Sequence, residues 1–208
     1  MNYSSIHIGL DFDNTLIDYS NVFSSAAREK GWVDGASYTK KEIREETRKL
    51  PNGDHKWQVL QSLVYGSFIH QARIMEGAKD FLIFCKQHNI KVSIISHKTK
   101  YADLDHTKNL RKAALFWLEK NDFFNPVKIS ILQKNVFFHS TREGKIKQIA
   151  AIGCTHFVDD LEEVLTDPGF PKSVQRLLFT QGKLAPIHFP YHSCLNWAEI
   201  QNVIFRSS

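Results

Sequence analysis

The sequence predicts an α/β fold built on a doubly wound parallel sheet, with a small helical insertion after the first strand. Three observations predict it. Short apolar runs recur along the chain, and each stops at a polar cluster. Amphipathic helical segments separate those runs. Residues 19–74 break the rhythm, carrying helical patterns and no convincing strand. Strands alternating with helices imply a parallel sheet covered on both faces and joined by right-handed crossovers, a Rossmann-like arrangement.

The elements follow in order. Residues 6–10 are mostly apolar and end in Asp11-Phe12-Asp13-Asn14-Thr15, the pattern of a buried strand delivering carboxylates to a loop. Residues 21–30 read as a helix through Val22, Phe23, Ala26 and Ala27, ending at Gly31. Thr39-Lys40-Lys41-Glu42 has capping-box spacing and opens a charged helix to residue 49. Pro51-Asn52-Gly53 is a turn, after which Asp54 is expected to cap a third helix carrying Trp57, Leu60, Val64 and Phe68. The core pattern resumes with a helix over 77–88, whose Ala78, Phe81, Leu82 and Cys85 share a face, and a strand over 92–95 stopped by Ser96-His97-Lys98-Thr99. Residues 128–131 alternate like a strand, 136–138 look like another, and Gln133-Lys134-Asn135 turns between them. A helix over 142–152, with Ile146, Ile149 and Ala150 on one face, stops at Gly153. Strands over 155–158 and 176–180 stop at Asp159-Asp160 and Gln181-Gly182, and a helix over 195–205 closes the chain through Trp197, Ile200 and Ile204. The division is a core of residues 1–18 and 75–208 with a helical insertion over 19–74.

Composition narrows the class. With 208 residues, 42% hydrophobic and 24% charged, the chain matches an average globular protein, which excludes disorder, collagen and coiled coil. Twenty-seven Lys and Arg against 22 Asp and Glu give a net charge of +5, which favours anionic partners. Lys40, Lys41, Arg44 and Arg48 are interleaved with Glu42, Glu45 and Glu46, the pattern of a solvated helix. The chain has no added basic module or aromatic run of the kind nucleic-acid surfaces use, so nucleic acid is the disfavoured partner. Cys85, Cys154 and Cys194 are odd in number and widely spaced, fitting a reducing compartment rather than a disulfide framework or zinc site. No apolar stretch approaches the ~20 residues that span a bilayer. Asp11 and Asp13 stand where a signal sequence would be apolar, so a cytoplasmic protein without membrane contact is expected.

In open α/β sheets, ligands sit outside the carboxyl ends of the strands. Asp11, Asp13, Asp159 and Asp160 converge there. Carboxylates that close repel unless a cation lies among them, and oxygen donors suit Mg²⁺. Ser96 supplies a hydroxyl for a phosphoryl oxygen, and Lys145 an ammonium that neutralises phosphate and carboxylate alike. Lys147 and Arg142 lie on the same helix as alternatives for that cation. His97 and Lys98 adjoin the cluster and read as an exposed turn within reach of substrate. His139-Ser140-Thr141 reads as the segment that caps the lysine helix.

These residues resemble the four motifs of the haloacid dehalogenase superfamily, on its phosphatase side. The first motif is similar to Ile8-Gly9-Leu10-Asp11-Phe12-Asp13-Asn14-Thr15 and the second to Val92-Ser93-Ile94-Ile95-Ser96. Lys145 stands for the third and Phe157-Val158-Asp159-Asp160 for the fourth, all in the family's order. Where many relatives carry a further Asp about four residues on, this chain has Leu161-Glu162-Glu163.

The resemblance implies that residues 19–74 form a small helical cap and that Asp11 is a nucleophile forming an aspartyl phosphate. It implies that Asp13 is the acid and base, with Thr15, Ser96, His97 and Lys145 around the phosphate. Mg²⁺ would be held by Asp11, the Asp13 carbonyl, and Asp159 or Asp160. The implied activity is Mg²⁺-dependent hydrolysis of a small phosphorylated metabolite, a sugar phosphate or nucleoside monophosphate. The alternatives are a phosphatase for nucleic acid ends and a non-catalytic phosphate-binding regulatory domain.

Overall fold

The computed structural model describes residues 3, 5–34, 39–183 and 191–206. From the N-terminus these form β1 (His7–Leu10), β2 (Ile17–Asp18), α1 (Ser20–Glu29), α2 (Lys40–Lys49), α3 (Gly53–Ser62) and β3 (Arg73–Ile74). There follow α4 (Ala78–Gln87), β4 (Lys91–His97), β5 (Tyr101–Ala102), β6 (Asp105–Asn109) and α5 (Leu110–Lys120). The last third holds β7 (Val136–His139), α6 (Arg142–Ala151), β8 (His156–Asp159), α7 (Glu162–Leu165), β9 (Gln175–Phe179), β10 (His192–Cys194) and α8 (Trp197–Arg206).

Two compact units result. The first comprises Met1–Ile17, Ile74–Lys98 and Asp122–Ser208, and the second Asp18–Arg73 with Thr99–Asn121. Relative to the division drawn at 19–74, Asp18 falls in the second unit and Ile74 in the first, and residues 99–121, which the sequence reading left in the core, fall in the second.

The first unit is a six-stranded sheet in the order β10-β9-β8-β1-β4-β7. Every pairing in it is parallel. The chain runs outward from β1 to β4 and β7, then returns to the other side of β1 for β8, β9 and β10. β1 thus lies at the topological switch point, where the connections on either side diverge and open a crevice. Successive strand residues face opposite sides, and both sides are covered. Ile95, Phe157 and Leu178 pack with Ile146, Ile149, Val164 and Leu165, so α6 and α7 cover one face. On the other, the Trp197 ring lies 4.9 Å from Phe81 and 5.8 Å from Phe179, bringing in α8 and α4. This is the doubly wound fold the sequence predicts.

Two local expectations are corrected here. Residues 128–131 form no strand: Ser130 sits at φ +69°, and the Asn125 carbonyl accepts from the backbone N–H groups of both Lys128 and Ser130. The apolar alternation there comes from a turn that buries Ile129 and Ile131. Asp54 does not cap α3, which starts one residue earlier at Gly53. Asp54 sits in the first turn and pairs with Arg48 at 2.8 Å.

The second unit is built on α1, α2 and α3. Phe23 stacks on Trp57 at 5.3 Å, with Tyr65 edge-on to both Phe23 and Tyr19. The capping box at α2 is complete: Thr39 Oγ1 accepts from the Glu42 N–H, and Glu42 Oε2 accepts from the Thr39 N–H at 2.7 Å. α5 joins this unit through the Trp117 indole, which donates to the Ala72 carbonyl at 3.0 Å. Among the described residues, no helix is long and apolar enough to cross a membrane.

Candidate active site

Sheet register explains which side chains meet. Leu10 pairs with Ile94 on one side and Val158 on the other. The next residue, Asp11, continues this ladder by donating its N–H to the Val158 carbonyl at 2.9 Å. Asp11 and Asp159 are therefore register neighbours on adjacent parallel strands, and registered neighbours face the same side of a sheet. Asp11 is 5% exposed and Asp159 wholly buried. That is the side covered by α6, so a cation from α6 can lie between them.

Lys145 supplies it. Its Nζ lies 2.6 Å from Asp11 Oδ1 and 2.6 Å from Asp159 Oδ2, with the residue 1% exposed. Thr141 places α6 for this: its Oγ1 accepts from the Gly144 N–H at 3.1 Å, which picks the N-cap out of the 139–141 segment the sequence offered. Gly153, at φ +69°, follows the helix in the left-handed conformation suited to a C-terminal glycine. The two alternatives point elsewhere. Lys147 is largely exposed and pairs with Glu143, and Arg142 engages the Glu163 carbonyl at 3.1 Å.

Electrostatics follow from this burial. Desolvation, with the neighbouring charges of Asp159 and Asp13, outweighs Lys145 and raises Asp11 to about 7. Burial opposes the charge of Lys145, but Asp11 and Asp159 overcome it and hold its ammonium above the ordinary lysine value. Asp160, half buried, completes an acidic group with Asp11 and Asp159, in which the three carboxylate oxygens all lie within 4.8 Å of one another. Asp159 also accepts from the Leu161 N–H at 3.0 Å, which fixes its orientation.

The Asp13 loop breaks the strand as soon as Asp11 is delivered. The Phe12 carbonyl accepts from the N–H groups of Leu16 and Ile17, and Asn14 takes φ +60°. Thr15 is wholly buried in this turn, its hydroxyl without a hydrogen-bond partner among the described residues. Ser96, 1% exposed, lies near the end of β4. His97, the next residue, faces the opposite way, is exposed and meets the Ser140 carbonyl through Nε2 at 3.0 Å. The structure gathers Asp11, Asp159, Asp160 and Lys145, and directs His97 to a different neighbour. Glu162 and Glu163 are occupied too, by Tyr191 and Arg142.

Lys98 departs from the sequence reading. It is 4% exposed rather than part of an exposed turn, and its Nζ donates to both Asp13 oxygens at 2.9 and 2.7 Å. The signal was available in the alternation: two residues beyond Ser96 on one extended run is the same face of the sheet. The Lys98 N–H donates to the His139 carbonyl at 2.8 Å, so the β4 ladder does run on that far.

No protein-family model matches the chain, and no curated protein does. Solved structures do. The protein tyrosine kinase A of Mycobacterium tuberculosis superimposes with TM-score 0.63 at 12% identity, covering 97% of this chain and 99% of that one. The HAD-hydrolase YfnB of Bacillus subtilis, solved bound to magnesium, gives TM-score 0.62 at 10% identity, covering 96% and 98%. A structure from Haemophilus somnus described as a predicted phosphoglycolate phosphatase gives 0.57 at 13% identity, covering 97% and 99%. At these identities the fold is what is shared, and the chain therefore has the haloacid dehalogenase-like fold, with its buried lysine and carboxylates at the switch point of the sheet.

Proposed function

We propose that this protein hydrolyses the phosphate monoester of a small metabolite, a sugar phosphate or nucleoside monophosphate, through an aspartyl phosphate on Asp11 and with Mg²⁺ as cofactor. The observation that carries the reading is the pair of 2.6 Å contacts from Lys145 to Asp11 and Asp159, with Asp160 beside them. A buried lysine shared by two carboxylates is costly to a fold that has no use for it.

The donor set fits the cation. Asp11, Asp13, Asp159 and Asp160 against Lys98 and Lys145 leave four negative and two positive charges, a formal −2, in a group of oxygen donors. Asp11, Asp159 or Asp160, and the Asp13 carbonyl would hold Mg²⁺. Bound there, it supplies positive charge to the phosphoryl oxygens.

The chain's own residues do the rest. An Asp11 carboxylate oxygen attacks phosphorus as the ester P–O bond breaks, and Asp13 gives a proton to the departing oxygen. Asp13 then takes a proton from water as that water's oxygen attacks the phosphorus of the aspartyl phosphate. Inorganic phosphate leaves and the Asp11 carboxylate is restored. Lys145 faces the transferred group's charge, and Ser96 and Thr15 offer buried hydroxyls to its oxygens. We assign the choice of leaving group to the second unit, acting as the cap.

The test is a panel of sugar phosphates, nucleoside monophosphates and short 5′-phosphorylated oligonucleotides, assayed with Mg²⁺ for the wild-type protein and Asp11→Asn. Turnover of a small ester, abolished in the variant and accompanied by an acid-stable phosphoryl label on the wild type, supports the reading. Absence of turnover across the panel, with a phosphorylated ligand bound tightly, replaces it with a binding domain.

A further inference from the structure

Lys98 is the buried cation of the site that the reaction just described leaves without a task. Its surroundings are specific. The Nζ lies 2.9 and 2.7 Å from the two oxygens of Asp13 and 5.5 Å from the centroid of the Phe12 ring. Its backbone is held by the His139 carbonyl. The lysine side chain is 3% exposed and that of Asp13 is 22% exposed, so the cation is buried while the acid remains open to a ligand.

The turn from Phe12 to Ile17 fixes the Asp13 backbone, but hydrogen bonds of the main chain leave a carboxylate free to rotate about its own side-chain bonds. Contact with both oxygens removes that freedom. Lys98 is also the last residue of its segment in the first unit, and Asp13 lies four residues before the chain first leaves that unit at Ile17. The ion pair ties together the exits of β1 and β4, whose direct pairing ends at Leu10 and Ile94. An acid or base works only with its oxygen at about 2.6–3.2 Å from the atom it serves, and small displacements are expensive in rate.

We propose that Lys98 is the positioning residue for Asp13, holding its carboxylate in the orientation that meets the leaving-group oxygen. The proposal rests on the reading of Asp13 as the acid and base of a phosphatase. It predicts a defect that follows the leaving group. An alkyl phosphate needs a proton delivered as its P–O bond breaks, whereas an aryl phosphate such as p-nitrophenyl phosphate departs as a stable anion.

The experiment compares wild type, Lys98→Met, Lys98→Arg and Asp13→Asn as full-length proteins with Mg²⁺. Each is assayed on p-nitrophenyl phosphate and on the best alkyl phosphate of the panel, with inorganic phosphate as competitive inhibitor. Lys98→Met is expected to lower kcat/KM on the alkyl ester by about 10- to 100-fold, within the range that acid–base groups contribute. On the aryl ester the loss should stay under about threefold, with the inhibition constant for phosphate changing no more than that. Lys98→Arg, which keeps a cation of fork geometry, should recover most of the loss.

Equal losses on the two esters, a parallel rise in the phosphate inhibition constant, or no recovery by arginine overturns the proposal. Should Lys98→Met not fold, Lys98→Arg and Lys98→Gln compared by the same ratio decide it. If the wild type is active and Asp13→Asn is impaired while Lys98→Met is normal, only the Lys98 role falls. If the wild type hydrolyses neither ester, the phosphatase reading falls and takes this role with it.

Discussion

Gly9 stands two residues before Asp11, and nothing larger fits there. A Cβ at that position would lie 2.5 Å from Phe157 Cδ2 and 2.8 Å from Cys154 Sγ. Both side chains are buried in the core, so neither can retreat into solvent. Gly9→Ala is expected to destabilise the protein by about 1–3 kcal/mol through overpacking. A urea midpoint equal to that of the wild type would remove this account. His7, at the other end of β1, titrates against the fold. Its Nδ1 meets the Ile152 carbonyl at 3.0 Å, which requires an N–H there, and its Nε2 lies 2.9 Å from Ser93 Oγ and accepts from that hydroxyl. Burial, assisted by Lys91, lowers its pKa. The unfolded chain therefore binds a proton that the folded chain refuses. Stability from this group is complete above about pH 6.5 and declines as pH falls from there toward the folded value. Denaturation at pH 7.5 and 5.5 should show that decline, and His7→Gln should reduce it. An equal pH response in the variant would place the effect elsewhere.

At the scale of elements, legibility follows how local the determining physics is. The capping box at Thr39–Glu42 and the cap at Thr141 involve residues three apart, and the sequence carried the first in full and placed the second within residues 139–141. The buried strands announced themselves by apolar runs stopped by charge. Residues 128–131 misled because a turn with Ser130 in the left-handed region buries alternate side chains just as a strand does. The pair β5 and β6 has no apolar alternation to read, since Asp105–Asn109 is polar throughout and none of its residues is fully buried. α5 does carry a helical apolar face in Leu110, Ala114, Trp117 and Leu118, yet its place in the second unit depends on partners such as Ala72 that lie far away in sequence. The cap of α6 gives a test at this scale. Thr141→Ala is expected to cost about 1 kcal/mol of stability, and Thr141→Ser to retain most of it. Because α6 carries Lys145, the alanine variant should also lose activity in proportion greater than its loss of folded protein. Full activity with reduced stability would mean that the α6 N-terminus does not govern the lysine.

At the scale of the molecule, the site exists only because four segments distant in sequence end at one edge of a sheet, and this is also where the sequence is least explicit. Motif order singled out Asp11, Asp159, Asp160 and Lys145, which lie together, but the 2.6 Å geometry and the burial of Lys98 are properties of register and packing. The net charge of +5 likewise concealed a formal −2 at the site. That local excess gives a prediction that engages the whole fold. Burial and neighbouring carboxylates raise Asp11 to about 7, so the metal-free protein holds a proton there that the unfolded chain does not hold between about pH 4 and pH 7. The sign is opposite to that of His7: the stabilising contribution of this proton is present at low pH and is lost as pH rises through 7. On the function proposed above, Mg²⁺ would compete with it for the same carboxylate, so binding should release a proton and tighten with pH. Between pH 6 and pH 8 an acid of pKa about 7 goes from mostly protonated to mostly ionised, which strengthens the apparent affinity about tenfold, or about 1.4 kcal/mol. Since a ligand bound only to the folded state raises stability by mass action, the gain on adding Mg²⁺ to chelator-treated protein should be larger at pH 8 than at pH 6. Asp11→Asn, which has no proton to exchange there, should show a small gain that does not change between the two pH values. Equal gains for the wild type at both would show that Asp11 is not where the cation and the proton compete.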